Sequence, residues 1–579
     1  MKTLTTYRPT CLLVLFIAIL SSCHINENKD EQQADLLLYN AYVYPVSADP
    51  IEHGAVVIRD GKIILVGQSY EIVKTWEKHC KEKTDCQGAF LMPGFIEGHG
   101  HFSSLGMNLM HLDLLNTKSW EEIVDSVKMR VQKAKPGEWI VGRGWHQEKW
   151  NTPVNPNVNG YPYNDLLNAV SPNNPVLLYH ASGHSLIANQ MAVENSHVTR
   201  ETPDPVGGRI VRDGSGVVLG VFEENAMKII AGGYDEYQSF KNENEKIAEW
   251  NEAIRKVEAH CLQYGITSFE DAGSTLEEIK RYNAMAGADS LELRLWVMIH
   301  QPLDELKGHL EGFPILRSGS DMFTCRAIKA YIDGALGSYG AWMLKPYADK
   351  PGWTGQNVTP IDDIRQIAEF CMQENLQMCI HAIGDKGNRT VLDIYEETMK
   401  AHPDKKNLRW RIEHAQHIDP ADMPRFKKLG VIASMQGIHC TSDAPFVVKR
   451  LGEERAKNGA YAWRSLLDQG AIIANGTDAP VERVDPIPNF YALVTRKRTD
   501  TGQAFYPEQC MTRKEAIHAY TLANAYAAFE EDIKGSITTG KWADLVLLSQ
   551  NLLACPEDSI LKTQVLMTMV GGKIKYSRN

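Results

Sequence analysis

A chain of 579 residues exceeds what one hydrophobic core encloses, so at least two structural units are expected. Apolar residues at 43% and charged residues at 23% give the composition of a folded globular protein and exclude extended disorder. A net charge of -11 argues against nucleic acid as a partner.

In chain order, Lys2 and Arg8 precede an apolar run from Cys11 to Leu20. That run is too short to span a bilayer as a mature helix and reads as a signal peptide over residues 1–23. It closes on Leu20-Ser21-Ser22-Cys23, which resembles a bacterial lipobox and makes Cys23 the expected lipidated first residue of the mature protein. Residues 24–33 then read as a tether. The expected location is the cell envelope, with a soluble body held by lipid at a membrane surface outside the cytoplasm. No later segment has the length and apolarity of a transmembrane helix. The nine remaining cysteines are too scattered for a disulfide framework or a CxxC metal knuckle. Cys80 and Cys86 are near enough in sequence to pair in an oxidising compartment, and most of the others read as buried thiols.

From Leu36 onward, short strands alternate with turns, and Asp60-Gly61 between two apolar runs is a strong two-residue hairpin signal. The C-terminus has the same character, in Gly540–Leu548 and Val565–Lys575. These two ends are expected to build one small composite β-sandwich from residues 34–91 and 531–579, with residues 92–530 inserted as a larger domain. Within that insertion, short apolar runs close on polar residues: Phe95–His101, Gly265–Ala272, Leu291–His300, Ala327–Asp333, Gln377–Ile383, Trp410–Ala415, Val431–Gln436 and Ala471–Asp478. Helical stretches such as Ile361–Glu374, Asn388–Ala401 and Ala421–Leu429 lie between them, the α/β alternation of a (β/α)8 barrel. Two further strand-like runs, Trp139–Trp145 and Val176–His180, fit a subdomain inserted over about residues 115–250.

The chemistry sits at the C-terminal ends of the predicted strands, where barrels gather functional side chains. His99 and His101 close the first strand; residues i and i+2 of a strand share a face, so both imidazoles converge. Gly100 between them lets the backbone approach whatever lies there. Two neutral imidazoles aimed at one point suit a divalent metal. Strand four adds Lys329, strand five His381, strand six His414 and strand eight Asp478.

The order HxH, Lys, His, His, Asp resembles the amidohydrolase superfamily of metal-dependent hydrolases. Pro93–His101, Gly265–Gly273, Lys329–Ser338, His381–Asp385 and Arg411–Gln416 are similar to its YtcJ-like branch, amidohydrolase family 3. The resemblance covers nearly all of the chain after the tether. It implies a barrel with a composite β-sandwich and a binuclear centre, usually zinc, bridged by a carboxylated lysine and a hydroxide. On that resemblance, His99, His101 and Asp478 bind the more buried metal, His381 and His414 bind the other, and Lys329 bridges both as a CO2-derived carbamate. A single-zinc centre with Lys329 uncarboxylated remains open. Asp478 is the implied catalytic proton carrier. His184, in the inserted subdomain, matches a family motif and is a candidate substrate-binding residue. Trp145, His146, His180 and Glu270 are pocket candidates, and His439–Asp443 after strand seven is a candidate specificity loop.

The function expected is hydrolysis of an amide-type C–N bond in a small molecule, an N-acyl or N-formyl amine being the type. Ester or lactone hydrolysis by the same centre is an alternative. Ring deamination is another, though it calls for a carboxylic acid just after strand five, where Ala382-Ile383-Gly384-Asp385 stands. A lipoprotein that only binds a ligand would have no use for Asp478 as a proton carrier. The partners are then a small-molecule substrate and, through the lipid, a membrane surface, with no nucleic acid; a homo-oligomer is compatible with the sequence.

Overall fold

The computed structural model describes residues 33–115, 117–147, 150–180 and 185–578. Cys23, the apolar run and nearly all of the tether lie outside them, as does His184. No helix among the described residues is long and apolar enough to cross a membrane.

Strands from both ends of the chain share one eight-stranded sheet. Its order is Lys573–Ser577, Val565–Val570, Leu545–Leu548, Phe90–Pro93, Ala34–Val43, Ile51–Arg59 and Lys62–Gln68, and Cys80–Asp85 also pairs with Ala34–Val43. The two ends join antiparallel, with Leu91 opposite Leu547. Asp60 and Gly61 have φ of 51° and 75°, the paired positive values of a two-residue hairpin turn. The sheet curls onto itself: Ile63 N–H donates to Lys541 O at 2.9 Å, and Gly540 N–H donates to Ile63 O at 2.8 Å. Leu38, Val56, Ile63, Leu91, Leu545 and Met569 are enclosed by that curl. The sandwich-like core therefore comes from one folded sheet.

Eight parallel strands build the barrel: β1 (Phe95–Gly100), β2 (Ile266–Ser274), β3 (Arg294–Ile299), β4 (Phe323–Tyr331), β5 (Gln377–Ala382), β6 (Arg411–His414), β7 (Ile432–Gln436) and β8 (Ile472–Gly476). Each pairs with the next, and β8 meets β1 through bonds from Asp478 N–H to His99 O and from His101 N–H to Ala479 O, both 2.7 Å. All eight overlap the runs expected from sequence. β4 departs most, starting four residues before Ala327, because Phe323 and Cys325 already pair with Leu295 and Val297 of β3. It also stops short of Asp333, whose carboxylate accepts the N–H groups of Trp342, Ile383 and Gly384 at 2.8–2.9 Å. A side chain that ties two loops together ends the strand.

After β1 and the helix Phe102–Leu109 comes a further, six-stranded sheet, ordered Gly208–Arg212, Val218–Glu224, Ser185–Ala188, Val176–His180, Ile140–Trp145 and Leu112–Asp113. The two extra strand-like runs are neighbours in it, paired in parallel with Leu177 opposite Val141. The helix Glu243–Gln263, opened by a reciprocal cap between Asn242 and Glu245, leads back to β2.

The N-terminal end of the barrel is sealed by the segment around residues 524–534. Lys534 Nζ lies 2.5 Å from Glu530 and 2.6 Å from Ser268 Oγ, and the Thr324 hydroxyl donates to Glu530 at 2.6 Å. All nine cysteines among the described residues are free and seven are buried, so Cys80 and Cys86 are not bridged.

Candidate metal centre

The site is assembled from the C-terminal ends of β1, β4, β5, β6 and β8. His99 is fully buried, and its Nδ1 is in close contact with the Glu413 carboxylate. Glu413 is in turn held by the buried guanidinium of Arg411, whose Nε donates at 2.7 Å. Arg411 also donates to Gly98 O at 2.7 Å and Ser434 Oγ at 2.8 Å, and it ion-pairs with Glu270. Burial pushes the Glu413 carboxyl up, but Arg411 and then His99 outweigh it and hold the group well below the usual carboxylate range. A carboxylate accepting Nδ1–H fixes the tautomer and leaves Nε2 as a bare lone pair. That Nε2 has no hydrogen-bond partner among the described residues and lies 3.6 Å from Asp478 Oδ1.

His414 repeats the device. Its Nδ1 is 2.7 Å from Gln436 Oε1, which again leaves Nε2 to the site. The His414 ring stands 4.8 Å from that of His99 and 4.5 Å from that of His381. One ligand atom from each of His99, His414 and Asp478 lies within 4.8 Å of the other two. His101 Nε2 is 3.2 Å from Asp478 Oδ1, and its side chain is 26% exposed, so it faces the mouth. His381 Nε2 is buried without a hydrogen-bond partner among the described residues, 3.6 Å from Asp333 Oδ1. Burial, followed by the Lys329 charge, lowers His99 to about 4 and His381 to about 3. Burial, followed by the His381 ring, carries His414 well below its ordinary value. All three are neutral imidazoles at physiological pH, the state in which a nitrogen can ligate a cation.

Lys329 is 3% exposed and reaches the same mouth. Its Nζ donates to Ala272 O at 3.3 Å and sits 4.6 Å from the centre of the Tyr331 ring. The Tyr331 ring is itself 5.3 Å from that of His381.

Backbone geometry aims two of these groups. His414 and Asp478 have φ of 72° and 60°, left-handed values that each cost a non-glycine residue on the order of 1 kcal/mol or more. Strand alternation alone would send Glu413 and His414 to opposite faces. The left-handed turn at His414 breaks that alternation, so Glu413 supports His99 while His414 faces the same centre. Gly100 answers to a different neighbour than its place between two histidines suggests. A Cβ there would lie 2.6 Å from Phe269 Cζ, so the glycine makes room for the packing of β2.

His99, His101, Lys329, His381, His414 and Asp478 thus come together at one mouth. Among the other candidates, His180 Nε2 lies 3.1 Å from Gln147 Oε1, and its ring packs 4.7 Å from Trp145 and 4.4 Å from His146, within the inserted subdomain. Glu270 belongs beneath the site, paired with Arg411, and not in the pocket. Sequence reasoning misses Glu413 and Gln436, the two acceptors that orient His99 and His414.

The donor set fits a divalent metal: the imidazole nitrogens of buried His99 and His414 and of His381, whose Nε2 is buried, with the buried Asp478 carboxylate and His101 beside it. Left unligated, each buried orphan nitrogen costs about 1–3 kcal/mol. A parallel barrel with such a donor set at its C-terminal mouth has the architecture of a metal-dependent hydrolase. The chain belongs to the amidohydrolase family, whose pattern it matches over residues 82–576. It is 32% identical to the protein LONG AFTER FAR-RED 3 of Arabidopsis thaliana, over 94% of this chain and 92% of that one. It is 26% identical to the N-substituted formamide deformylase of Arthrobacter pascens, over 94% of this chain and 99% of that enzyme. Among solved structures, a metal-dependent hydrolase from Pyrococcus horikoshii superposes with a TM-score of 0.70 at 27% identity, covering 90% of this chain and 99% of the other.

Proposed function

We propose that this member of the family hydrolyses an amide-type C–N bond in a small N-formyl or N-acyl amine, using two divalent ions, zinc by the nitrogen-rich donor set. The observation that carries the reading is the pair of buried, unpartnered imidazole nitrogens, His99 Nε2 and His381 Nε2, on either side of His414. His99, His101 and Asp478 would hold one ion, and His381 and His414 would hold the other. Lys329, as a CO2-derived carbamate, would offer the site a further anionic oxygen ligand, which requires its Nζ to leave Ala272 O. A bound ion polarises the scissile carbonyl and lowers the pKa of water toward neutrality. Asp478 supplies the proton traffic: its carboxylate takes a proton from the attacking water and delivers it to the departing nitrogen. For that it must be ionised. Burial pushes it up, but the His101 hydrogen bond and the neighbouring rings hold it well below the usual range. The deformylase relative supports a formyl or small acyl group as the part of the substrate that meets the centre.

The test is turnover by the zinc-loaded protein across N-formyl amines, N-acyl amines, N-acyl amino acids, cyclic imides, esters, lactones and adenine. Fastest release of a free amine from the formyl or acyl amines is expected. Preference for an ester, a lactone or adenine would replace this reading. The body is further proposed to be anchored in the cell envelope through lipid on Cys23. Cys23→Ser should then move the protein from the membrane fraction to the soluble fraction, and an unchanged distribution would refute the anchor.

A further inference from the structure

A fifth imidazole at the mouth, a buried one, is left without work by the six-residue donor set. β7 ends at Gln436 and passes straight into the helix Gly437–Leu451, whose third residue is His439. The start of that helix is pinned by side-chain carbonyls: Gly437 N–H donates to Asn475 at 3.1 Å and Ile438 N–H to Asn489 at 2.7 Å. One turn on, Asp443 accepts from Tyr461 OH at 2.5 Å and from Gln416 Nε2 at 2.9 Å. The face of the helix that carries His439 is therefore fixed. His439 is 8% exposed, and its ring lies nearly parallel to that of His414, at 18° and 6.1 Å between centres. Its Nε2 is buried and has no hydrogen-bond partner among the described residues.

His439 is not one of the groups whose ligand atoms converge as those of His99, His414 and Asp478 do among the described residues. A buried ring nitrogen beside a catalytic centre, fixed by its own helix and left unpaired, is a hydrogen-bonding position that a guest must fill. In the tautomer with hydrogen on Nε2 it donates, so it takes an oxygen acceptor. The helix N-terminus adds a partial positive charge in the same place, suited to an oxygen on which negative charge grows.

We propose that His439 is a catalytic residue that donates Nε2–H to the carbonyl oxygen of the bound substrate. This rests on the hydrolase reading above. As the water oxygen bonds to the carbonyl carbon, its proton passes to Asp478 and the C=O π pair moves onto the carbonyl oxygen, facing His439. When that pair returns, the C–N bond breaks and the nitrogen leaves with the proton from Asp478. Water and amide are consumed, and a carboxylic acid and an amine are formed. His439 keeps its proton throughout and acts by hydrogen bonding alone.

The test compares zinc-loaded wild type, His439→Ala and His439→Gln in four readouts: zinc content, apo-protein thermal midpoint, acetohydroxamate affinity by calorimetry, and kcat and KM for an N-formyl amine. His439→Ala is expected to keep its zinc and its midpoint and to bind acetohydroxamate at least tenfold more weakly. Its kcat should fall about 100- to 1,000-fold, the scale of one lost oxyanion donor, with KM little changed. His439→Gln, which returns an N–H donor at similar reach, should recover at least tenfold in kcat. Loss of zinc in His439→Ala would make His439 a ligand and overturn the proposal. Hydroxamate affinity and kcat both within twofold of wild type would overturn it too, as would failure of acetohydroxamate to bind wild type. If wild type cleaves no N-formyl or N-acyl amine while acetohydroxamate affinity still depends on His439, the substrate reading fails and the donor role stands.

Discussion

The two ends of the barrel differ in how their central charged and ring groups are met, although single orphaned atoms such as Gln377 Oε1 and Arg409 Nε also lie at the N-terminal end. At the N-terminal end, Lys534, Glu530, Ser268 and Thr324 satisfy one another within 2.5–2.6 Å. At the C-terminal mouth, His99, His381 and His439 each keep a buried nitrogen with no partner among the described residues, and His414 and Asp478 hold left-handed backbones. A closed network contributes to the fold and asks nothing of a ligand. An open one costs stability and is worth keeping only where something binds. The contrast separates residues whose loss should unfold the protein from residues whose loss should empty it.

The sharpest way to break that contrast is at the mouth. His99→Ala should remove zinc from the position shared with His101 and Asp478 and lower turnover by more than about a thousandfold, read by metal analysis beside kcat. At the other end, Lys534→Met leaves the Glu530 carboxylate buried without its cation, with the Thr324 hydroxyl still donating to it. It should cost about 3–5 kcal/mol in denaturant unfolding, with kcat per zinc-loaded molecule unchanged. A loss of specific activity there would show that the two ends are not independent. Gln436→Leu tests the layer behind the donors. Without its acceptor the His414 ring is free to turn, and zinc affinity measured against a chelator should fall about 10- to 100-fold while the fold survives.

The smallest effect concerns Glu258, a buried carboxyl far from the mouth that accepts the Glu292 N–H at 2.8 Å. Burial raises it to about 7 from its ordinary 4.5. The folded state thus holds a proton that the unfolded chain releases between those values. The stability this proton provides is complete below pH 4.5 and is lost as pH rises through about 7. Glu258→Gln should therefore melt about 2 °C above wild type at pH 8 and level with it at pH 4.5. Equal midpoints at both pH values would mean that Glu258 is not held protonated by the fold.

Much of the barrel and its mouth is legible in the amino-acid sequence. Each barrel strand is an apolar run that closes on a polar residue, so both its existence and its functional end can be read from one pattern. Lys329, His381, His414 and Asp478 are visible because they stand at those ends. Glu413 and Gln436 are hidden by the same logic. Glu413 is next to His414, and alternation assigns neighbours to opposite faces, whereas the left-handed turn at His414 lets both serve one centre. Gln436 shows its role only once β6 and β7 lie side by side. The curled terminal sheet is half legible: both β-rich ends are evident, but the pairing of Phe90–Pro93 with Leu545–Leu548 joins segments some 450 residues apart, which local patterning does not register. Gly100 reads as a point of close approach, and so it is, with Phe269 as the neighbour.

The central claim is that the open end of the barrel is a metal-dependent hydrolytic centre. The direct measurement is the rate of N-formyl amine hydrolysis by metal-stripped protein as zinc is added in counted equivalents. The account predicts no turnover at the start and a rise that levels at two zinc ions per chain. Full turnover before any zinc is added, or a rate that zinc does not change, would contradict it.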